Sequence, residues 1–572
     1  MPWLIVICNY ASNNGADQKV NLSKKISLKH CCSRIFLVYL KLQDKNTMAN
    51  IRTKAVFKQY NQQQNLLLPP SLEELIPSTH LVRVVNQVIE EMDLTPLIEQ
   101  YQGGGTSSYH PRMLLKVLLY GYCVKIYTGR KIAKAISQDV NFMWLAAMNR
   151  PDFRTINGFR SSKAKAVIED LFKELLSFLI DYKYIRLEHY FCDGSPFLAD
   201  GNRNKMIWRK NSDRYKTLAE QRCQQLFKEI DNLNQAEDKL FGDMDLDEKG
   251  EQTTITPEAI SKQIQLLNQK IATAVKSQLR RKVNSLKKKL EAEALKINRY
   301  QRQIETSGGR SGYNKTDKDA SAILMKNKVE VLPAYNILAG CEGQFITGVS
   351  VHQNTNDATC FSQHLEQIQE QQPAQVENII ADSIFGTEQN YELLEEKGIG
   401  NYMKFPQFHG EQQKKNKENP FLKDNFAYDA QTDSYTCPNN RKLTLQRINK
   451  QTNKKTGYQS TIREYQCENC SECPFYQQCC KSSSGGVRTI SLNEKLERYK
   501  QQARKNLSTE EGVKLRKARG MEIESCFGDI KHNMGFRRFH LRGMKKVAAE
   551  IALVAMAHNI RKLYIKKLVE VG

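Results

Sequence analysis

From Ser212 to Ile304 the chain is rich in Lys, Glu, Gln and Leu. Apolar residues recur at Cys223, Leu226, Ile230, Leu233 and Leu240, then at Ile260, Ile264, Leu267 and Ile271. Spacings of three and four gather them into helical stripes of the coiled-coil kind. The acidic stretch FGDMDLDEKGEQ separates two halves, and Thr256-Pro257-Glu258 is a helix start. Strand-like runs stand on both sides. The segment is therefore expected as a long antiparallel helical hairpin inserted into another domain, where it serves as a spacer or a dimer contact.

The flanks divide by periodicity. From Pro77 to Leu179 the runs LVRVVNQVIEEM, PRMLLKVLLYGY and AVIEDLFKELLSFLI have helical spacing and predict a small helical bundle. Within it Lys125, Arg130, Lys131 and Lys134 lie beside the turn TGR, either as a helix-turn-helix DNA contact or as a solvated face. EHYFCDGSPFL (188–198), AYNILAG, GQFITGVSV and VENIIADS read as strands, with a helix over Glu388 to Lys397 and a short strand at Gly400 to Phe405. Strands mixed with helices imply an α/β sheet. Helices are expected again over Leu492 to Lys505, Gly520 to Lys531 and Lys545 to Leu563.

Eighty-six Lys and Arg against 62 Asp and Glu leave a net charge of +24, which attracts polyanions before any specific contact forms. Nucleic acid is the leading partner. The apolar runs LIVIC and IALVAMA are too short to span a bilayer, so no membrane association is expected. The opening MPWLIVIC has neither a basic leader nor a cleavage site, and a cytoplasmic location is expected. Residues 1–47 show no periodicity. Met48 is the expected natural start, with 1–47 an unstructured extension.

Two aspartates stand at strand ends: Asp193 after HYFC and Asp382 after NIIA. Glu524 lies on a helical segment with Lys531 seven residues on, hence on the same face. Phosphoryl transfer from DNA uses two divalent cations about 4 Å apart, and hard cations take carboxylate oxygens, so at least three convergent acids are needed. Each acid also has an ordinary reading, since Asp-Gly makes turns and Asp after a strand caps helices. Asp317 and Asp357 are read as turn or cap residues.

Six of the 15 cysteines crowd into residues 437–480: Cys437, Cys467, Cys470, Cys473, Cys479 and Cys480. Thiolates with two residues between them can converge on one tetrahedral zinc, and a distant Cys-Pro can complete the shell. A closed four-thiolate site has no open position, so its zinc is structural. Arg441, Lys442, Arg447, Lys450, Lys454 and Lys455 beside it suit a phosphate backbone.

HPRMLLKVLLYGY, SQDVNFMWLA, RPDFRTINGFRS, CDGSPFLADGNRNKMIWRKN, LPAYNILAGCEGQFITG, ADSIFGTEQNYELLEEKG and EIESCFGDIKHNMGFRRFHLRGMKKV together carry a resemblance. From Met48 on, the chain resembles the DDE transposases of bacterial insertion sequences, most closely the family numbered eleven eighty-two. The resemblance implies an RNase H-like mixed sheet core with an N-terminal helical domain, an inserted helical hairpin and a cysteine-rich insertion. The expected segments are 48–185 (helical, DNA-binding), 186–211 (core), 212–306 (hairpin), 307–408 (core), 409–490 (cysteine-rich) and 491–572 (core, with the glutamate helix).

It further implies that Asp193, Asp382 and Glu524 hold two Mg²⁺ or Mn²⁺ ions, with Lys531 and Arg519 as basic partners of the glutamate and Glu522 as the nearest rival to Glu524. Cys437, Cys470, Cys473 and Cys479 are its zinc ligands; Cys467 and Cys480 are dispensable, although Cys467 is an alternative to Cys437. The implied activity is DNA strand cleavage and transfer at the ends of an insertion sequence. The expected partners are double-stranded DNA, as terminal inverted repeats and target, and a second copy on the DNA at the nucleoid. Asp-Gly-Ser-Pro stands where the family commonly has Asp-Gly-Thr-Lys, and Phe385 where Tyr is usual. These departures leave as the alternative a domesticated or inactive copy that binds DNA without catalysis.

Overall fold

Five strands form the centre of the sheet. β1 (His189–Leu198) pairs antiparallel with β5 (Val331–Glu342), and β5 antiparallel with β6 (Phe345–His352). On its other side β1 runs parallel to β7 (Asn378–Ala381), and β7 parallel to β8 (Gly400–Asn401). The order β6-β5-β1-β7-β8, with three antiparallel strands followed by two parallel ones, is that of an RNase H-like core. This computed structural model describes residues 71–101, 108–241, 255–273, 277–325, 329–480 and 486–571. The 1–47 extension, part of the Gly-rich loop before His110 and most of the acidic stretch after Phe241 lie outside them.

Local chemistry accounts for these elements. Gly343 (φ +58°) and Gln344 (φ +63°) make the two-residue turn that joins β5 to β6. β6 is buried along its length, and its outer edge is closed by side-chain amides. Asn559 accepts from Ile346 N–H and donates to Ile346 C=O (both 2.8 Å), and Gln371 does the same at Val349 (3.0 and 2.9 Å). Those amides come from the helices Met544–Val571 and Asp357–Gln371, which both pack on β6.

Pro196 sits within a central strand without breaking a ladder. Leu198 N–H donates to Arg537 C=O and Phe539 N–H to Leu198 C=O. Even-numbered residues at this end of β1 therefore turn their backbone away from β5, and β7 stops opposite Cys192.

The described N-terminal helices are not a separate body. Pro111–Cys123 has no exposed residue, and one apolar core runs continuously from Ile76 through the sheet to Leu563. Arg160 bridges the Tyr122 hydroxyl (3.1 Å) and Tyr127 C=O (2.7 Å), and the fully buried Glu550 accepts from His540 and Leu541 N–H.

The insertion departs from the expected two-helix hairpin. Among the described residues it has three helices: Arg209–Phe241, Pro257–Thr273 and Ser277–Ser307. The first and third are antiparallel, with Ser212 donating to Gln303 (3.0 Å) and Tyr215 stacked on Tyr300. The second helix packs along the third, adding Ile260 and Leu267 to a core of Cys223, Phe227, Ile230, Leu286, Leu290 and Ile297. Three short strands also went unread in the sequence: β2 (Met206–Trp208), β3 (Gly312–Asn314) and β4 (Ser321–Leu324). They extend the sheet beyond β5 and root the insertion in it. The cysteine-rich stretch forms a second sheet of five antiparallel strands, β9 (Ala427–Asp429), β10 (Ser434–Thr436), β11 (Lys442–Thr452), β12 (Gln459–Cys467) and β13 (Thr489–Leu492). No helix among the described residues is long and apolar enough to cross a membrane.

Candidate active site

β1 and β7 run in register, with Cys192 opposite Ala381, so Asp193 and Asp382 are the next residues on two adjacent parallel strands. Asp382 occupies the N-cap position of the short turn Ser383–Phe385, yet its side chain makes no capping hydrogen bond. The Asp193 carboxylate accepts from Gly194 N–H at 2.8 Å. A Cβ at residue 194 would lie 2.5 Å from the Asp357 carboxyl, so any larger residue there would have to displace that side chain. Asp357 opens the helix Asp357–Gln371 and accepts from the Asn336 amide; Asp317 accepts from Tyr335 (2.9 Å) and Gly543 N–H (3.2 Å). Asp317 thus bonds to a distant loop as well as to Asp319 N–H in its own turn, and the cap of the helix is Asn356, with Asp357 the first residue after it.

Glu524 arrives on a continuous helical run from Glu510 to Asn533. Its α-helical turns are interrupted by two wider π turns, Gly520–Glu524 and Asp529–Asn533, a feature frequent at functional sites. Arg519 ties this run to β1, its guanidinium lying 3.0 Å from Glu524 Oε1 and 3.8 Å from Asp193 Oδ2. Lys531 contacts the same strand two residues on, donating to Ser195 Oγ (2.6 Å) and Pro196 C=O (2.8 Å) and resting on the Phe197 ring. The serine that stands at the family's Thr position is thus engaged by the helix's lysine.

Glu522, two residues from Glu524, faces elsewhere. Its carboxylate accepts from Gln344 N–H at 2.6 Å, in the β5–β6 turn. Glu524 is 58 % exposed and is the acid of this helix that meets Arg519.

Two groups of residues at the site were not anticipated from sequence. Lys404 follows β8, and its N–H donates to Ala381 C=O (3.3 Å), which sets it beside Asp382. Burial pushes its ammonium below the usual lysine range; Arg519 and Arg516 add to this, opposed by Asp382 and Glu524. Under the glutamate helix, the buried His558 lies 2.8 Å from the Asp529 carboxylate and 3.1 Å from Gln344 C=O, with the Cys526 thiol alongside. A lysine just beyond a short strand and a histidine on an apolar helix carry no motif, so only their neighbours identify them.

Oxygen donors of this kind suit a hard cation. Among the described residues, however, no three His, Cys, Asp or Glu side chains converge as a bound metal requires, and Arg519 draws two of the three acids.

In the second sheet Cys437, Cys467 and Cys470 are buried with Leu443, Tyr465 and Ile490, and Cys479 packs against them. Burial pushes the Cys467 thiol up to about 12, with Cys470 adding to it, and raises Cys479, with Cys437 and Cys470 adding. Cys467, set aside in the sequence reading, is thus inside the thiol group, whereas Cys473 is part-exposed and outside this apolar cluster. Of the nearby cations, Arg441 is tied to Asn469 C=O and Arg447 to Glu464, while Lys442, Lys450, Lys454 and Lys455 are exposed. In the N-terminal helices Arg130, Lys131 and Lys134 are exposed on Gly129–Gln138.

Residues 436–564 match the family model described as Transposase DDE domain, and residues 70–162 that described as Transposase domain (DUF772). The first match includes Glu524 and Lys531 and stops short of both aspartates. No curated protein and no solved structure matches the chain. Two transposase family models thus match parts of one chain whose central sheet has the RNase H-like order, and together they support a DDE transposase of an insertion sequence.

Proposed function

We propose that the chain cleaves and transfers DNA strands at the ends of its insertion sequence, using divalent metal ions held by Asp193, Asp382 and Glu524. The observation that carries this reading is the placement of Asp193 and Asp382 at successive positions of adjacent parallel strands, with Glu524 linked to Asp193 through one guanidinium. When bound, Mg²⁺ or Mn²⁺ activates the attacking oxygen and stabilises the leaving one. The protein's part is to present carboxylate oxygens from a rigid sheet and one helix. Asp193 is oriented by Gly194 N–H, and the helix bearing Glu524 is anchored to β1 by Lys531. Arg519 offsets the charge of Asp193 and Glu524, and if a metal took its place it would be available to a phosphate oxygen.

DNA is held by the exposed cations of Gly129–Gln138 and of β11–β12 and its connecting turn, and a second copy joins on the DNA at the nucleoid. In the cysteine-rich sheet we propose a structural Zn²⁺ on Cys437, Cys470, Cys473 and Cys479, supported by the crowding of thiols there; Cys467 is the competing ligand. The test of the catalytic reading is purified protein with labelled duplexes from the DNA flanking the reading frame, with and without Mg²⁺ or Mn²⁺. Metal-dependent nicking at a repeat end is expected. Binding without nicking under every metal condition would leave only a DNA-binding role.

A further inference from the structure

The geometry points to Lys404 as a binding residue for a backbone phosphate of the DNA strand under attack, an inference that rests on the proposed catalytic reading. Beyond β8 the chain stays alongside β7, with Tyr402 N–H donating to Ile379 C=O (3.0 Å) and Lys404 N–H to Ala381 C=O (3.3 Å). Three parallel segments therefore lie side by side and deliver Asp193, Asp382 and Lys404 to one edge of the sheet. The glutamate helix supplies Glu524 near the same edge, close enough for both Asp382 and Glu524 to act on the Lys404 charge.

The other cations here are already engaged. Arg519 meets Glu524 and Asp193, Lys531 meets Ser195 and Pro196, and Arg516 lies over the Phe408 ring at 5.6 Å. Lys404 is half-buried, and its ammonium has no hydrogen bond and no ion pair within 4 Å among the described residues. Removing an ammonium from water without giving it a partner is costly. A phosphate oxygen seated at the metal-binding edge supplies that partner, as a point charge for which lysine is suited. In the free protein Asp382 and Glu524 make the ammonium tolerable from a distance. In the complex a metal bound there would offset those acids, and the phosphate would serve as the counter-charge of the ammonium.

The experiment measures binding, so it does not depend on cleavage. Short duplexes tiling the DNA that flanks the reading frame are titrated by fluorescence anisotropy at several salt concentrations with Ca²⁺ present, using wild type, Lys404→Ala and Lys404→Arg. Loss of one phosphate contact should weaken binding roughly threefold to tenfold and reduce the slope of log K against log salt by about 0.9, with Lys404→Arg restoring most of both. A neutral methylphosphonate walked along the strand should weaken wild type at one position and leave Lys404→Ala indifferent there. Lys404→Met serves as the folding control, and its melting temperature should equal or exceed that of wild type. The proposal is overturned if Lys404→Ala keeps the wild-type slope and methylphosphonate profile. Duplex binding with no cleavage by wild type would overturn the catalytic reading while the slope still decides Lys404; no duplex binding by wild type overturns both.

Discussion

Arg519 holds Glu524 at 3.0 Å, and the same guanidinium reaches to 3.8 Å from Asp193. Two of the three acids proposed to bind metal thus already share a cation, five residues from the glutamate on its own helix. Removing that cation should favour an external one. Arg519→Ala is expected to bind Mn²⁺ about twofold to fivefold more tightly than wild type in calorimetry without DNA, as befits a pair exposed on the Glu524 side and worth about 0.2–1 kcal/mol. Weaker Mn²⁺ binding would show instead that Arg519 orients the acids for the metal.

Asp193→Asn, Asp382→Asn and Glu524→Gln should each reduce metal-dependent cleavage to background, because an amide keeps the carboxylate's size and removes the charge that attracts the ion. Duplex affinity should stay within about twofold, since binding is spread over many Lys and Arg contacts. Glu522→Gln is the control and should cleave normally, as its amide oxygen still accepts from Gln344 N–H. Glu522→Ala should cost about 1–3 kcal/mol in a denaturant melt by leaving that N–H without its acceptor. Activity of Glu524→Gln together with inactivity of Glu522→Gln would move the third acid to Glu522.

The His558–Asp529 pair should give the glutamate helix a pH-dependent anchor. Burial disfavours the imidazolium, yet the hydrogen bond to Asp529 holds His558 up at about 10; burial likewise opposes the Asp529 carboxylate, which His558 and Asn533 bring down to about 2. A raised histidine stabilises fully below its unfolded value of 6.5 and loses this as pH rises through about 10. A lowered aspartate stabilises above its unfolded value of 3.8 and loses this as pH falls through about 2. The pair is therefore complete between about pH 4 and 6.5. Asp529→Asn should cost about 1–3 kcal/mol at pH 5.5, less than the ~3–5 of a fully buried pair, and the gap to wild type should narrow by pH 10. A gap that is constant across this range would show that the pair does not titrate as argued.

Reduced, folded protein should contain about one zinc per chain. Cys437→Ser, Cys470→Ser and Cys479→Ser should each lower the zinc content and the melting temperature of the cysteine-rich sheet. Cys473→Ser should do the same, with Cys467→Ser neutral; the reverse pattern would give the fourth position to Cys467. A folded, reduced sample without zinc would end the proposal.

The elements that position the site were legible where the signal was local. HYFCD and NIIAD read as strands that end in acids, and EIESCFGDIK as a helix carrying Glu524 and Lys531, because apolar periodicity and residue chemistry are properties of short windows. The inserted helices were legible for the same reason. Their number was not, since a second and a third helix with the same composition differ only in where the chain turns back.

What only the tertiary structure decided is which distant groups meet. Register put Cys192 opposite Ala381 and so made neighbours of Asp193 and Asp382, and the π turns and the Gln344 contact separated Glu522 from Glu524. Packing brought Cys467 in among the other thiols. Lys404 has no motif of its own. Its position depends on a backbone hydrogen bond to Ala381 and on the burial around it. Such contacts join residues far apart in the chain, and their free energy belongs to the folded arrangement, so no window of sequence contains them.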